Sequence, residues 1–419
     1  MTRLSFADAC GFLFPRQADR IKWSLGPTQG LLDVLGRPER HFAAVHVGGT
    51  NGKGSVCAFI AAELEARGLR VGLYTSPHLV SVRERILVNG VPISEDGFVE
   101  WVAWLQPHVE RLDASFFEAM TAIAFADLAA RGVDVAVVEV GLGGRLDSTN
   151  VITPLVSVVT KIAVEHTAYL GFDLTSIARE KAGIGKPGVP FVTGERDPAV
   201  RAELEAEARR LGAAPVVAVD ATRPPGPHDG LGLAGRHQWA NAWVAHGALN
   251  QLPPPFGPVG EDIPASFGRA TLPGRFDVRG KWIFDVAHNP DGVGVLVAAL
   301  RERRPPGPIH ALVGIRSDKE WRPMLDRLAS EVKRLVLTIP PSVPAHHRWG
   351  WTELAEWSQA RADRVEGEQA WPQVQVVFEP DFDRALGLAK DGAGSVLVTG
   401  SFHTVGDALS RVPGFAPLG

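Results

Sequence analysis

The feature that most constrains the fold of this chain is a glycine-rich turn between an apolar strand and a helix. The turn, Gly-Gly-Thr-Asn-Gly-Lys-Gly-Ser over residues 48–55, follows the apolar run 42–47 and leads into a predicted helix over 55–67. Glycines let backbone N–H groups approach phosphate oxygens, and the N-terminus of the helix adds a favourable dipole. The order strand, glycine-rich turn and helix therefore indicates a nucleotide as the first ligand to consider.

The turn differs from the usual phosphate loop, in which Ser or Thr directly follows Lys. Here Gly54 stands between Lys53 and Ser55. Lys53 is still expected to reach the β- and γ-phosphates, and Ser55 to ligate Mg²⁺. An ordinary glycine-rich turn is the alternative, and the flanking strand and helix weigh against it.

Length and charge limit the classes of protein to which the chain can belong. Its 419 residues suffice for two or three domains, and 45% of them are hydrophobic. A net charge of −4 gives no basic surplus for binding nucleic acid. Two cysteines indicate a reducing compartment without a disulfide framework. With no secretory leader and no apolar run of membrane-spanning length, we expect a cytoplasmic protein without a membrane partner.

Strand-like and helix-like segments alternate along the chain, which predicts an α/β fold with a doubly wound, mainly parallel sheet. In the first part, strands are predicted at 43–47, 70–74, 134–140, 155–160 and 190–193, and helices at 55–67, 94–111, 116–131, 176–184 and 198–211. The Pro- and Gly-rich stretch 251–272 is interpreted as an interdomain linker. After it, strands at 281–284, 309–313, 334–337, 374–378 and 395–399 alternate with helices such as 291–303 and 352–361. They predict a second, smaller α/β domain.

Polar side chains follow two of the predicted strands. Glu139 ends the strand 134–140 and precedes the glycine-rich run 141–144, and His166 follows the strand 155–160. Open α/β sheets bind ligands at the carboxyl ends of their strands. Glu139 is therefore a candidate to hold a metal beside the phosphate loop, and His166 is a candidate ligand through a neutral ring nitrogen. The alternatives are a solvated strand end for Glu139 and a structural histidine for His166.

Lys181 lies among small residues on a predicted helix. If it faces inward, its charge needs a partner or a chemical modification. An exposed lysine paired with a nearby acid is the alternative.

Three residues of the second domain have side chains suited to a nucleotide. Arg275 precedes a strand and is able to clamp a phosphate bidentately. Asp285 and His288 follow the strand 281–284, where they are candidates to bind a ribose and to stack on a base. A surface salt bridge for Arg275 and a plain helix cap for Asn289 are the alternatives.

These motifs, and their order along the chain, resemble those of the folylpolyglutamate synthase family. This family includes a bifunctional form with dihydrofolate synthase activity and belongs to the Mur-ligase superfamily. The matching segments span nearly the whole chain: 25–26, 31–39, 46–56, 75–79, 83–86, 117–121, 139–147, 180–184, 237–242, 273–276, 285–290 and 399–401. The resemblance implies a Mur-ligase-like fold. An N-terminal phosphate-loop domain over 1–270 would precede a smaller, Rossmann-like glutamate-ligase domain over 271–419.

The resemblance also implies roles for single residues. The positions that would contact ATP are Gly49, Thr50, Asn51, Gly52, Lys53, Gly54, Ser55, Asn241, Arg275, Asp285 and His288. Those that would line the folate site are Thr75, Ser76, Pro77 and His78. Ser55, Glu139 and His166 would be Mg²⁺ ligands, and Lys181 matches a family lysine that is carbamylated. Lys53, Lys181 and His166 would carry the catalysis.

The activity implied is ATP-dependent ligation of L-glutamate to folate, and to dihydropteroate as well, through an acyl phosphate, by a monomer that binds only small molecules. Closure of the two domains would keep water from that intermediate. One alternative is a UDP-muramoyl amino acid ligase, against which the segments 76–78 and 117–118 argue. Another is a protein that is switched by ATP and hydrolyses it without ligation.

Overall fold

Parallel strand pairing organises both parts of the chain. The computed structural model describes residues 4–17, 24–165, 167–223, 230–365, 374–412 and 414. They form two compact units. Unit 1 comprises Met1–Pro77, Val82–Gly232 and Gln238–Thr271, and unit 2 comprises His78–Ser81, Leu233–His237 and Leu272–Gly419.

Unit 1 contains the larger sheet. Its strands are β1 (Ala43–Gly48), β2 (Val71–Tyr74), β3 (Ile86–Val88), β4 (Val91–Pro92), β5 (Val135–Glu139), β6 (Val156–Val159), β7 (Phe191–Thr193) and β8 (Val216–Ala218). Its helices are α1 (Phe6–Leu13), α2 (Gly26–Val34), α3 (Lys53–Ala66), α4 (Glu95–Arg111), α5 (Phe116–Ala130), α6 (Thr167–Leu170), α7 (Leu174–Ala182), α8 (Pro198–Arg210) and, except for its first residue, α9 (His237–Leu249). The strand order is β4-β3-β2-β5-β1-β6-β7-β8. Within this sheet, only the pairs β2–β3 and β3–β4 are antiparallel among the strand pairs of the described residues.

Alternate residues of the central strands pack against opposite layers of helices. Ala136 and Val138 of β5 belong to one buried core together with residues of α4 and α5. The helix α3, which begins at the glycine-rich turn, packs against β1, β2 and β5. Because successive side chains of a strand point to opposite faces, this arrangement is doubly wound, as the sequence predicted.

Unit 2 contains the smaller sheet, in the order β13-β12-β11-β14-β10-β9. Its strands are β9 (Asp277–Arg279), β10 (Trp282–Phe284), β11 (Ile309–Val313), β12 (Arg334–Leu337), β13 (Gln375–Phe378) and β14 (Ser395–Thr399). Its helices are α10 (Pro290–Arg303), α11 (Trp321–Ala329), α12 (Trp351–Val365), α13 (Phe382–Lys390) and α14 (Phe402–Leu409). Ala311 and Val313 of β11 face one core, and Leu312 faces the other. The predicted fold class, with a smaller second sheet, is confirmed.

Local capping explains where two helices differ from the sequence prediction. The helix α7 begins at Leu174 rather than at residue 176, because the Asp173 side chain accepts hydrogen bonds from the N–H groups of Thr175 and Ser176. The helix α3 begins two residues early, directly after Gly52, whose φ of +92° turns the chain into the helix. In contrast, the predicted start of α4 is confirmed, since the Ser94 hydroxyl accepts from the N–H of Gly97 at 3.0 Å.

The Pro- and Gly-rich stretch that was interpreted as a linker packs on α3 over part of its length. Phe267 is fully buried, and its ring stacks on that of Phe59 with the centroids 4.9 Å apart. The Ser266 hydroxyl donates to Glu63 Oε2 at 2.6 Å. This stretch is therefore also part of the hydrophobic packing of unit 1.

Candidate active site

The glycine-rich turn leaves β1 at the carboxyl edge of the sheet, between β5 and β6. Gly49 has a φ of +133°, and a Cβ atom there would lie 1.9 Å from Thr160 Oγ1. Gly52 has a φ of +92°, and a Cβ atom there would lie 2.4 Å from Asn241 Oδ1. Both positions therefore need glycine because of backbone conformation and of close neighbours.

Hydrogen bonds fasten this loop to the segment that follows β6. The N–H groups of Thr50 and Asn51 donate to the carbonyl of Lys161 at 2.9 and 3.3 Å. The Thr160 hydroxyl donates to the Asn51 carbonyl at 2.8 Å. Two of the predicted phosphate-binding amides are thus engaged within the protein. The amides in the first turn of α3, from Lys53 to Ser55, lack acceptors in the preceding turn, as at any helix start.

The side chains of the loop and of α9 complete its surroundings. Lys53 is half-buried, and its Nζ donates to the Thr50 carbonyl at 3.2 Å. Ser55 is buried in the first turn of α3. Asn241 donates through Nδ2 to Gln238 Oε1 at 2.9 Å, which orients its amide beside Gly52. The structure therefore brings Asn241 to the loop, although the two are far apart in sequence, and its contact with ATP stays a prediction.

Glu139 ends β5 beside the point where the loop begins. It pairs in register with Val47 of β1, and its side chain is 5% exposed. Its Oε2 accepts a hydrogen bond from the N–H of Ser76 at 3.1 Å. A buried carboxylate at this edge is therefore confirmed as a structural feature, and the solvated strand end is wrong.

His166, the other predicted metal ligand, lies outside the described residues. Within the part of the chain that the structure describes, no group of three or more His, Cys, Asp or Glu side chains is arranged to hold a metal ion.

The Lys181 side chain points toward the Gly49 carbonyl of the glycine-rich loop and not toward the solvent. Its side chain is 5% exposed, and its Nζ donates to the Gly49 carbonyl at 3.0 Å. Burial, followed by the nearby charge of Lys53, lowers the pKa of this amine to about 7. The alternative of an exposed lysine paired with an acid is therefore wrong. A large fraction of the amine is uncharged near neutral pH.

The predicted folate segment divides between the two units. Thr75, Ser76 and Pro77 follow β2 in unit 1, whereas His78 belongs to unit 2. The N–H of Thr75 donates to the Arg85 carbonyl at 3.0 Å.

Two of the three predicted nucleotide residues of unit 2 lie against the same aromatic ring. The guanidinium carbon of Arg275 lies 5.2 Å from the centroid of the Phe402 ring, and the His288 ring lies 5.5 Å from it on centroids. His288 Nδ1 lies 2.8 Å from the Val286 carbonyl oxygen, which accepts its hydrogen. This bond engages Nδ1 and not Nε2. Phe402, the first residue of α14, thus contacts two of the three predicted residues.

Asp285 of the same unit is held by its own turn. It accepts from the N–H groups of Phe276 and Ala287, both at 2.9 Å, and burial raises the pKa of its carboxyl group. Asn289 caps α10, because its Oδ1 accepts from the N–H of Gly292 at 2.7 Å. The plain helix cap is therefore the role that the structure gives Asn289.

Sequence reasoning gave no role to several residues at this site. Thr160 fixes the loop and Phe402 contacts Arg275 and His288. The signal for Thr160 was present, since it is a polar residue at the end of an apolar strand. Nothing in the local sequence distinguishes Phe402 from a core aromatic residue.

The second unit matches a known family. Residues 274–402 match the family described as the Mur ligase, glutamate ligase domain. Together with the glycine-rich loop and the two doubly wound sheets, this match defines the chain as a ligase of the Mur class.

Curated relatives narrow the class. The folylpolyglutamate synthase of Lacticaseibacillus casei is 37% identical over 75% of this chain and 80% of its own length. The dihydrofolate synthase/folylpolyglutamate synthase of Bacillus subtilis is 31% identical over 97% of this chain and 99% of its own length. The chain therefore belongs to the folylpolyglutamate synthase/dihydrofolate synthase family, which confirms the resemblance found in the sequence.

Solved structures agree with this assignment. Folylpolyglutamate synthase of Mycobacterium tuberculosis, complexed with ADP, is similar with a TM-score of 0.83 and 31% identity, over 97% of this chain and 98% of that one. The bifunctional folylpolyglutamate synthase/dihydrofolate synthase of Yersinia pestis, with Mn, AMPPNP and L-glutamate bound, gives a TM-score of 0.77 and 29% identity, over 97% and 98%. In the described part of this chain, no helix has the length and apolar character needed to cross a bilayer.

Proposed function

We propose that this chain is an ATP-dependent ligase that joins L-glutamate to a carboxylate of folate, and also of dihydropteroate. The observation that carries the proposal is the glycine-rich loop, with Lys53 on its first helical turn and the buried Lys181 amine bonded to its back. The names of the relatives support the substrates, and the bound ADP and AMPPNP of the two similar structures support the nucleotide.

Such a ligase must first activate a carboxylate. A carboxylate oxygen attacks the γ-phosphorus of ATP, the bond to the bridging oxygen breaks, and ADP leaves. The glutamate amine then attacks the acyl carbon of the acyl phosphate, and inorganic phosphate and a proton are released. The amides at the start of α3 and the Lys53 ammonium stabilise charge on the transferred phosphoryl group, and neither step needs a protein nucleophile.

The donor set around the loop fits a magnesium ion. Glu139 offers a carboxylate and Ser55 a hydroxyl, and Mg²⁺ is bound through one or two such groups plus substrate phosphates and water. We assign Ser55, Glu139 and His166 as its ligands, and the manganese in the Yersinia pestis structure supports a divalent cation. When bound, the ion neutralises charge on the phosphates.

Lys181 is suited to carbamylation. The attack on carbon dioxide needs an uncharged amine, and the pKa of about 7 supplies it near neutral pH. The nitrogen of the uncharged amine forms a bond to the carbon of CO₂ and releases one proton, which leaves a carbamate anion. Starting from the protonated lysine, two protons are released in all, and a buried cation becomes an anion. We propose that this anion, next to the Gly49 carbonyl of the phosphate loop, adds to the attraction for divalent metal.

The remaining assignments extend to both units. Asn241 beside Gly52, and Arg275, Asp285 and His288 of unit 2, are assigned to the nucleotide. The folate residues are Thr75, Ser76, Pro77 and His78. These roles come from the family resemblance.

The test is ADP release measured with ATP, with and without L-glutamate, and with either dihydropteroate or a reduced folate. The ligase requires both glutamate and a pteroate-type carboxylate for rapid ADP release, and the amide product matches ADP in amount. ADP release that ignores both substrates would instead identify the protein switched by ATP. Comparing the two acceptors decides whether one or both activities are present.

A further inference from the structure

His46 is a buried histidine that the proposed chemistry does not use. It lies in the middle of β1, two residues before the glycine-rich loop, and is fully buried. Its Nε2 lies 2.8 Å from the hydroxyl oxygen of Thr149. Burial, and then the charge of Lys186, lowers the pKa of its ring to about 3, so the ring is neutral at physiological pH.

The hydrogen bonds of Thr149 determine which atom donates to which. The Thr149 hydroxyl donates its only hydrogen to Asp147 Oδ1 at 2.5 Å. His46 Nε2 must therefore carry the hydrogen that it shares with Thr149, and Nδ1 is left without one. Among the described residues, Nδ1 has no hydrogen-bond partner. A buried unpaired nitrogen is destabilising, so a histidine at this position needs a reason other than stability.

The chain of bonds ends on the turn that follows Glu139. Asp147 Oδ2 accepts from the N–H groups of Gly141 and Leu142 at 3.0 and 2.8 Å. These are the second and third residues after Glu139.

The same turn reaches the segment that carries Lys181. A Cβ atom on Gly144 would lie 2.7 Å from the Glu180 carbonyl oxygen and 2.8 Å from that of Lys181. The turn 141–144 therefore begins two residues after Glu139 and contacts the backbone of Lys181.

We propose that His46 and Thr149 are positioning residues. They fix the Asp147 carboxylate, which fixes the turn 141–144 and so the placement of the Glu139 carboxylate beside the phosphate loop. We call the hydrogen-bonded set His46, Thr149 and Asp147 the relay. It connects β1, which leads into the phosphate loop, to the turn after β5, which ends in Glu139, and it lies wholly within unit 1. This inference rests on the proposed role of Glu139 as a metal ligand.

The decisive variants differ in whether residue 149 keeps its hydroxyl group. Thr149→Val keeps the shape of the side chain and removes both hydrogen bonds, whereas Thr149→Ser keeps the hydroxyl. We expect Thr149→Val to weaken the binding of Mn²⁺ in the presence of saturating ADP about tenfold, since residues that orient metal ligands have effects of that order. Thr149→Ser should bind Mn²⁺ within about twofold of the wild type. Isothermal titration calorimetry or the Mn²⁺ electron paramagnetic resonance signal measures this without turnover.

Hydrogen exchange gives a second measurement that does not involve the metal. In Thr149→Val without ligands, the amides of Gly141 and Leu142 should exchange faster than in the wild type, while those of β12 should not change. His46→Gln, whose amide can replace the Nε2 donor, and His46→Leu form a second pair if Thr149→Val does not fold. The matched control is His310→Leu, because His310 is a buried histidine on β11 of the other unit. It should lower the free energy of unfolding without changing Mn²⁺ binding.

Each outcome decides a separate claim. Wild-type Mn²⁺ binding by Thr149→Val, or equal weakening by Val and Ser at this position, overturns the relay. If Thr149→Val gives either of these results and Glu139→Gln loses Mn²⁺ binding, only the inference about His46 and Thr149 fails. Glu139 then remains the proposed metal ligand. If Glu139→Gln itself binds Mn²⁺ like the wild type, the metal assignment fails and the relay fails with it.

Discussion

The pKa of Lys181 makes a quantitative prediction about stability. We expect the free energy of unfolding of the wild type to rise with pH between 7 and 10 relative to that of Lys181→Met. The pKa of this amine falls from an ordinary value of 10.5 to about 7 on folding, mainly through burial. Between these two values the unfolded chain binds the proton more than the folded chain does, so raising the pH favours the folded state.

The size of the effect follows from the same two values. One pKa unit corresponds to about 1.4 kcal/mol. At pH 7 the buried amine therefore opposes folding by about 4 kcal/mol, and at pH 10 by only about 1 kcal/mol. Methionine has no proton to lose, so the variant lacks this dependence. It also loses the hydrogen bond to the Gly49 carbonyl, but that loss is the same at every pH and cancels when the two slopes are compared.

The assay is urea unfolding of both proteins at several pH values, without nucleotide or metal and in bicarbonate-free buffer. The difference between wild type and Lys181→Met should change by about 3 kcal/mol from pH 7 to pH 10. The matched control is Lys186→Met, because Lys186 is only half-buried and burial lowers the pKa of its amine. It should give a smaller change of the same sign. Parallel curves for wild type and Lys181→Met would refute the argument that burial neutralises this amine.

Three further substitutions test the loop and unit 2. Lys53→Ala should lower the rate of ligation at least about a hundredfold with an unchanged circular dichroism spectrum, because it removes the ammonium group that stabilises charge on the transferred phosphoryl group. A rate near that of the wild type would exclude this role. Gly49→Ala should lower the free energy of unfolding by at least about 2 kcal/mol, because its Cβ would collide with Thr160 Oγ1, and Thr160→Ala in the same chain should restore part of the loss in urea unfolding. Phe402→Leu should weaken ADP binding about two- to fivefold by calorimetry, because Arg275 loses the ring beneath it; unchanged affinity would show that the ring does not orient the guanidinium.

The sequence predicts most of the architecture because apolar periodicity follows the layers of the sheet. β5 is buried at every residue and is written as a run of β-branched and small residues, so it was found within one residue at each end. The short strands β3, β4, β8 and β9, and the helices α1, α2, α6 and α9, were not predicted. Each strand has only two or three residues, too few for a period of two to be distinguished from chance.

Candidate residues were predicted where chemistry and position agree. Glu139 was singled out because an acidic residue ends an apolar strand, and Lys181 because its neighbours are small. The small neighbours left an exposed Lys181 open as the alternative, and only the structure shows that its side chain is buried. The pairing of Lys181 with the Gly49 carbonyl was not predictable, since it joins residues 132 positions apart. The assignment of Asn241 to the nucleotide came only from the family resemblance, and its position beside Gly52 was not predicted, because no local pattern records which helix passes over a loop.

The buried polar groups of unit 1 explain why this site needs the whole sheet and not only its loop. The loop is bonded to the segment after β6 through Thr160, and its back is bonded to α7 through Lys181. The turn after β5 is bonded through Asp147 and Thr149 to His46, which lies in the strand that carries the loop. Three neighbouring strands, β5, β1 and β6, are therefore cross-linked at their carboxyl ends by side chains that are almost entirely removed from water. A phosphate loop alone binds a nucleotide, but in the proposed reaction the loop, the Glu139 carboxylate and the Lys181 amine would have to keep fixed positions relative to one another. Hydrogen bonds between adjacent strands supply that rigidity, since each buried partner would be left unsatisfied if its strand shifted.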